Sequence, residues 1–298
     1  MQSLSTFNAI ACRILFKGYS LSERSLQEKG VHPVRTFSLQ KYSIFPAIIW
    51  CFIFVRPDDL RAIIQAPSLL LFVCLISVIW NVQQFLTSFL ANTTSTISVR
   101  TTLSYLILLP ELLIIGAVFN HDIPNAYSIA AIIVLGFAFL LEPSQAKTNK
   151  RARFAMPLVF IILLVVTQAS LDAINAALAR EALKSISAED FLGISTVMIM
   201  GICWVWTSFV PKRPKDTQIL KKHTWLAAAI PIFWFIATIP ETYASASLPI
   251  YTLFSIGAIT FAIDAASDEL QHRIRLSPRT MAFIALVFIG MGLSVLSL

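Results

Sequence analysis

Asp172 and Asn175 stand three residues apart in "TQASLDAINAALAREALKSIS" (167–187), directly behind the greasy run "ARFAMPLVFIILLVV" (152–166). An acid at the centre of a bilayer costs roughly 2.5–3.5 kcal/mol on insertion scales, so the pair is either compensated or put to use. Residues three apart share one helix face. A carboxyl beside an amide on that face can exchange a proton against a cationic ligand. It can equally cap or bond a neighbouring helix, and both readings stand.

Two further polar groups interrupt apolar runs. Trp80, Asn81, Gln83, Gln84 and Thr87 cluster in one, and Trp234, Thr238, Glu241, Thr242 and Tyr243 in another. An amide-rich segment flanked by tryptophan suits an amphiphilic ligand, which needs a few directed hydrogen bonds and an apolar wall. The same glutamines can join helices, at a benefit of about 0.6 kcal/mol each, and the tryptophans can belong to an interfacial belt. Glu111 follows Pro110. Proline leaves a carbonyl one turn back without a donor, which a protonated Glu111 would satisfy; the alternative is proton coupling. Asp264, at the end of its run, reads as solvated. No DxxxD, HExxH, GxSxG or phosphate-binding glycine loop stands in a plausible place. Cys12, Cys51, Cys74 and Cys203 sit in or beside apolar runs without a CxxC pair, and the four histidines are scattered. The reading is therefore of inert thiols, with no catalytic residues, metal or cofactor.

These residues need elements to hold them, and composition says which. The 298-residue chain is 57% hydrophobic and 13% charged, with a mean hydropathy of +0.75, against about 25% charged residues in soluble domains. It cannot cover a soluble surface, so the expected class is an all-α, multi-pass membrane protein. Nine glycines leave the close helix approaches mostly to Ala, Ser and Thr. An apolar helix needs roughly 20 residues to cross the hydrocarbon core. Candidates run over 34–55, 69–90, 98–119, 124–142, 154–179, 191–210, 224–243, 248–267 and 279–298, with short polar separators such as "RPDDLRAIIQ" and "PKRPKDTQILKKH". Period-two alternation, which a membrane barrel would show, is missing.

Shifting the chain by 154 residues brings rare residues into register: Phe37 with Phe191, Trp50 with Trp204, Pro57 with Pro211, Trp80 with Trp234, Pro124 with Pro278 and Gly136 with Gly290. At a shift of 164 instead, "FNAI" (7–10) matches "LDAI" (171–174), which places Asn8 opposite Asp172 and leaves ten extra residues in the first half, read as the loop "SLSERSLQEK" (20–29). A duplication of about five helices follows, with repeats at 1–143 and 154–298. The N-terminal segment is short and carries Arg13 and Lys17, so on its own it reads as an interfacial helix and not a span; the repeat makes it a tenth helix that looks truncated at its start. An odd number of helices per copy inserts the copies in opposite orientations, an inverted repeat with its site near the bilayer midplane.

"EKGVHPVRTFSLQKYSIFPAIIW" (28–50) and "ALAREALKSISAEDFLGISTVMIMGICW" (177–204) resemble the first-helix exit and second helix of the drug/metabolite transporter superfamily with EamA-type repeats. "FLTSFLANTTSTISVRTTLSYLILLPELLIIG" (85–116) and "ETYASASLPIYTLFSIGAITFAIDAASDELQHRIRLSP" (241–278) look like its passage from third to fourth helix. The resemblance implies ten helices in two inverted five-helix repeats around a central cavity. It also implies secondary active transport of a small organic metabolite (an amino acid, an amine or a drug-like compound) by alternating access.

On that reading the cavity candidates are Asn8, Trp80, Asn81, Gln83, Gln84, Thr87, Asp172, Asn175, Trp234, Thr238, Glu241 and Tyr243, and the proton-coupling candidates are Asp172 and Glu111. The expected partners are the substrate and the lipid bilayer, not nucleic acid, for a monomer in the plasma (inner) membrane. Two alternatives remain. A nucleotide-sugar or organophosphate carrier wants Lys or Arg inside the cavity, and the third, sixth, eighth and ninth helices have none in mid-span. A membrane-embedded enzyme acting on lipid-linked substrates wants clustered acids or histidines at one face. For orientation, only Arg56, Arg61, Arg180 and Lys184 fall in one set of connections, while most of the 23 Lys and Arg residues fall in the other. The positive-inside rule puts the basic set in the cytoplasm and both chain ends outside; the family resemblance implies the opposite.

Overall fold

The computed structural model describes residues 2–93, 97–141, 158–211, 213–270 and 275–298. Its helices are α1 (Gln2–Glu28), α2 (Pro33–Phe37), α3 (Ile44–Phe54), α4 (Pro57–Gln65), α5 (Pro67–Thr93), α6 (Ile97–Phe119), α7 (Ala126–Leu141) and α8 (Leu158–Ala182). There follow α9 (Ala188–Ser208), α10 (Pro214–Lys222), α11 (Thr224–Ser247), α12 (Ile250–Gly257), α13 (Ile259–Leu270) and α14 (Pro278–Leu296). A 3-10 segment, Ser38–Ser43, joins α2 to α3. No strand occurs among the described residues.

Six helical stretches are long and apolar enough to cross a membrane: Pro33–Phe54, Pro67–Leu86, Ile162–Ala182, Ala188–Ser208, Thr224–Ser247 and Pro278–Leu296. Tyr105–Phe119, Ala126–Leu141 and Ile250–Ile263 are shorter apolar helices. Each of the nine expected spans falls on one of these. Large side chains such as Phe52 and Phe209 stand more than four-fifths exposed, which would be an aggregation liability in water and is the normal state against acyl chains. The architecture is that of a multi-pass helical membrane protein.

Three sequence expectations are corrected. The first helix is not short: α1 runs for 27 residues, about 40 Å at the helical rise. "SLSERSLQEK", read as a loop, carries neither Gly nor Pro and simply continues the helix until Gly30. There the chain turns left-handed (φ 104°), Val31 N donates to Leu26 O at 3.1 Å and Gly30 N to Gln27 O at 2.9 Å. This is a Schellman stop, with buried Val31 and Leu26 packed across it.

The polar separators are also not all loops. Pro57 and Pro214 each occupy the first turn of a nine-residue helix, α4 and α10, with acids in that turn; α10 adds Lys221 and Lys222 at its end. Both choices suit the helix dipole and the proline's missing N–H. Pro211, matched to Pro57 by the constant shift, lies ahead of α10 instead. Lastly, the second span is broken. Pro46 cannot donate and crowds the carbonyl of Tyr42, so the turn before α3 tightens to 3-10 geometry.

The chain packs into two compact units. Unit 1 comprises Met1–Ile10, Leu90–Ala177 and Ser247–Leu298, and unit 2 comprises Ala11–Phe89 and Leu178–Ala246. Each draws on both sequence halves, so the packing units and the expected repeats are different divisions of the chain.

In unit 1, α7 packs along α14, and α6 against α7 and α12. Leu109, Leu112, Leu135, Phe139, Phe283 and Val287 fill the core, with Ala169, Ala173 and Ala177 of α8 against them. Gly290 is required where α14 meets α7, because a Cβ there would lie 2.6 Å from Leu135 Cγ. In unit 2, α3 packs along α9, and a Cβ on Gly193 would lie 2.7 Å from Cys51 Sγ. Phe37, Trp80, Phe191, Met200 and Trp234 form its core. Elsewhere in both units alanine makes the close approaches, as the sparse glycine implies; Ala47, Ala131 and Ala138 are fully buried.

Candidate functional site

Unit 2 holds most of the polar candidates. Trp80 on α5 and Trp234 on α11 are both buried and meet edge to face, ring centroids 5.5 Å apart. Phe37 touches Trp80 at 5.9 Å and stacks on Trp206 at 5.7 Å. Below this aromatic wall Asn81 is fully engaged. Its Nδ2 donates to Ser77 O at 2.8 Å and to Ile199 O at 3.1 Å, and its Oδ1 accepts from Trp206 Nε1 at 2.8 Å. Both amide protons are used within the protein, so Asn81 ties α5 to α9. Gln83 is buried and partnered, and Gln84 is half-buried. The Thr87 side chain lies outside the described residues.

On α11 the hydroxyls turn inward on their own helix: Thr238 Oγ1 donates to Phe235 O at 2.7 Å and Thr242 Oγ1 to Thr238 O at 2.8 Å. Prolines 231 and 240 lie inside this helix, and hydroxyls bonded back to the preceding turn tend to bend a helix further. Glu241 pairs with Arg13 of α1, N to O 3.7 Å, with side chains 31% and 16% exposed. Tyr243 OH donates to Glu189 Oε1 at 2.6 Å. Glu189 lies in the first turn of α9, whose N-cap Ser187 exchanges bonds with Asp190 (3.1 Å and 2.6 Å), and Trp50 Nε1 donates to the Glu189 carbonyl at 3.1 Å.

Unit 1 holds the remaining candidates. Ala169, Ala173 and Ala177 face its core, which leaves Gln168, Asp172 and Asn175 on another face of α8, at helical spacing. Gln168 is 8% exposed, and its Oε1 has no hydrogen-bond donor; nor has the buried Asn175 Oδ1. Asp172 is half-buried and is partnered. On α6, Glu111 Oε1 accepts from Ser170 Oγ of α8 at 2.8 Å, while its Oε2 is buried without a donor. Glu111 thus bonds a neighbouring helix. Asn8 is half-buried on α1.

Three contributors escaped the sequence reading. Arg13 counted against its helix being a span, when it is half of an ion pair. Trp206 has no counterpart at the constant shift, yet it holds Asn81. Gln168 carried a signal that was present: it stands four residues before Asp172 and seven before Asn175.

No protein-family model and no curated protein matches the chain. A solved structure described only as "Crystal structure of protein" superposes with a TM-score of 0.65 at 12% sequence identity, covering 99% of this chain and 96% of that one. At that identity the likeness shows a shared fold and nothing about activity.

Proposed function

We propose that the chain is a secondary active transporter of a small organic metabolite, of the drug/metabolite transporter type. It would have ten helices in two inverted five-helix repeats that alternate access to their substrate, in the plasma membrane. The observation that supports this reading is the pairing of three helices with their counterparts in the other expected repeat. α3 packs on α9, α6 on α12 and α7 on α14, and Trp80 meets Trp234, its partner under the shift. Self-pairing of equivalent elements is what a two-fold relation produces at its axis.

Intramembrane ionisable groups mark substrate and proton pathways. This chain carries Asp172 on α8, Glu111 on α6 and the Arg13–Glu241 pair. The acceptor-lined face of α8 suits a substrate rich in N–H donors. The organophosphate alternative gains one supporting observation, since Arg13 supplies the intramembrane guanidinium that the mid-span sequence lacked.

Uptake into proteoliposomes, measured against a metabolite panel with and without an imposed pH gradient, tests the reading. At least one metabolite should accumulate above empty vesicles. Asp172→Asn, which keeps size and hydrogen bonding but cannot exchange a proton, should abolish gradient-driven accumulation while leaving substrate exchange. Wild-type, pH-dependent accumulation in Asp172→Asn would make Asp172 structural; no movement of any panel member would remove the transporter reading.

A further inference from the structure

A cavity of about 770 Å³ lies wholly within unit 2, at the corner where α3 passes into α4 and α8 into α9. None of the residues above that would handle a transported substrate opens it except Glu189, the anchor of Tyr243. Its charged lining is Arg56, Asp59, Glu189 and Asp190, the last of which accepts from Ser187 Oγ at 2.6 Å, and Phe54, Ile63 and Leu69 supply apolar wall.

The charges are unequal in their commitments. Arg56 precedes α4, is exposed, and makes no ion pair with the described residues. Asp59, half-exposed in the first turn of α4, is likewise unpaired; Arg61 reaches Asp58 instead, at 3.8 Å. Glu189 is held from behind by the Tyr243 hydroxyl at 2.6 Å, so its carboxylate cannot swing away. A simple anion would meet three carboxylates here, and a simple cation would be opposed by the free guanidinium; Asp190, bonded to Ser187, leaves Arg56, Asp59 and Glu189 for a ligand. A ligand bearing both charges satisfies the three groups together, because Arg suits a phosphate and the carboxylates suit an ammonium. The apolar surround continues outward. Phe52 and Ile53 on α3, Leu60 and Ile64 on α4, and Leu71 on α5 are all exposed. The cavity therefore opens beside a greasy surface at the ends of membrane helices, where lipid headgroups lie.

We infer that this cavity binds the headgroup of a zwitterionic phospholipid whose amine carries N–H donors, the phosphatidylethanolamine class. The phosphate sits against Arg56, the ammonium sits between Asp59 and Glu189, and the acyl chains run over the exposed faces of α3 and α5. The site is separate from the transport reading and requires only that the chain sits in a bilayer.

Native mass spectrometry of the purified full-length chain tests it, with phosphatidylethanolamine, phosphatidylcholine or phosphatidylglycerol added back singly. Wild type should retain phosphatidylethanolamine roughly ten-fold over the other two. Arg56→Gln and Asp59→Asn should each lose that preference with unchanged helical circular dichroism, and Arg56→Lys should restore part of it. Glycerophosphoethanolamine, which has the headgroup without acyl chains, should fail to displace the lipid. Equal retention of the three lipids, or preference surviving in both neutral variants, overturns the site. Displacement by glycerophosphoethanolamine at matched concentration overturns the lipid as its occupant.

Discussion

The dipeptide Pro–Glu occurs twice inside a helix, at Pro110–Glu111 in α6 and at Pro240–Glu241 in α11, and the two units treat it in opposite ways. In unit 2 the acid meets a charge: Glu241 faces Arg13, and the other polar candidates bond neighbours, from Asn81 with Trp206 to Tyr243 with Glu189, although Arg35 Nε and Gln40 Oε1 elsewhere in the unit are buried without a hydrogen bond. In unit 1 the acid meets only a hydroxyl. Glu111 accepts one bond from Ser170, and its other oxygen, with those of Gln168 and Asn175, is buried without a donor. Satisfied polar networks fix a structure, whereas unsatisfied acceptors store free energy that a donor can release. The candidate residues of unit 2 therefore read as engaged within the protein, and Glu111, Gln168 and Asn175 of unit 1 as acceptors open to a donor.

The ion pair should give the largest effect. Removing one member of a fully buried pair costs about 3–5 kcal/mol. With both side chains partly exposed, Glu241→Gln should lower unfolding stability by about 2 kcal/mol. Arg13→Gln added to it should recover most of that, since no charge is then left alone. A denaturation double-mutant cycle in detergent reads the coupling. Simple additivity of the two changes would mean the pair is incidental, and the contrast between the units would lose its strongest element.

Asn81→Ala comes next. It strips Trp206 Nε1 of its acceptor and releases two carbonyls. Helix-joining bonds in membranes average about 0.6 kcal/mol each, so a loss of about 1–2 kcal/mol is expected. Gln84→Ala, a change at a half-buried neighbour, should stay within about 0.5 kcal/mol. Comparable losses in the two thermal melts would show that Asn81 is not the tie between α5 and α9.

Unit 1 should respond with the opposite sign. Gln168→Leu replaces a buried acceptor that lacks a donor with an apolar group of similar size, a change that is neutral to stabilising by up to about 1 kcal/mol. The variant should melt at or above wild type without substrate, and should gain less than wild type from any transported metabolite. A clear drop in the substrate-free melt would mean that Gln168 is bonded in the membrane, and unit 1 would then be as satisfied as unit 2.

How much of this could be read beforehand depended on which force left its mark in sequence. The six long apolar helices and the three shorter ones were legible because lipid requires an unbroken run of apolar residues. The lengths of α1 and α4 were not, because polar residues at a membrane edge can form a helix or a loop, and only capping and packing decide between them. The Trp80–Trp234 contact joins two residues that the internal match had already singled out. Arg13 was misread for a physical reason: alone in a helix a guanidinium looks disqualifying, and its compensation by Glu241 comes from a distant segment that no local pattern reveals. Asn81 was noticed for its polarity, but whether an intramembrane amide waits for a ligand or binds a neighbour depends on Trp206 and Ile199, again distant in sequence.

The smallest expected effect isolates the charge of Glu111. Glu111→Gln keeps the oxygen that accepts from Ser170 and puts an amide nitrogen where Oε2 now lacks a donor, one turn from the Leu106 carbonyl that Pro110 cannot bond. Its stability should stay within about 0.5 kcal/mol of wild type. Ser170→Ala removes the donor and leaves both carboxyl oxygens without one, so it should cost more, about 1 kcal/mol. The order of these two melts carries the information. If Ser170→Ala is the worse variant, the hydrogen bond matters and the charge does not, and Glu111 serves as a strut between α6 and α8. If Glu111→Gln is worse, the ionisable group itself contributes. Glu111 would then join Asp172 as a candidate for proton coupling under the proposed function, and Glu111→Gln should also flatten the pH dependence of proteoliposome uptake.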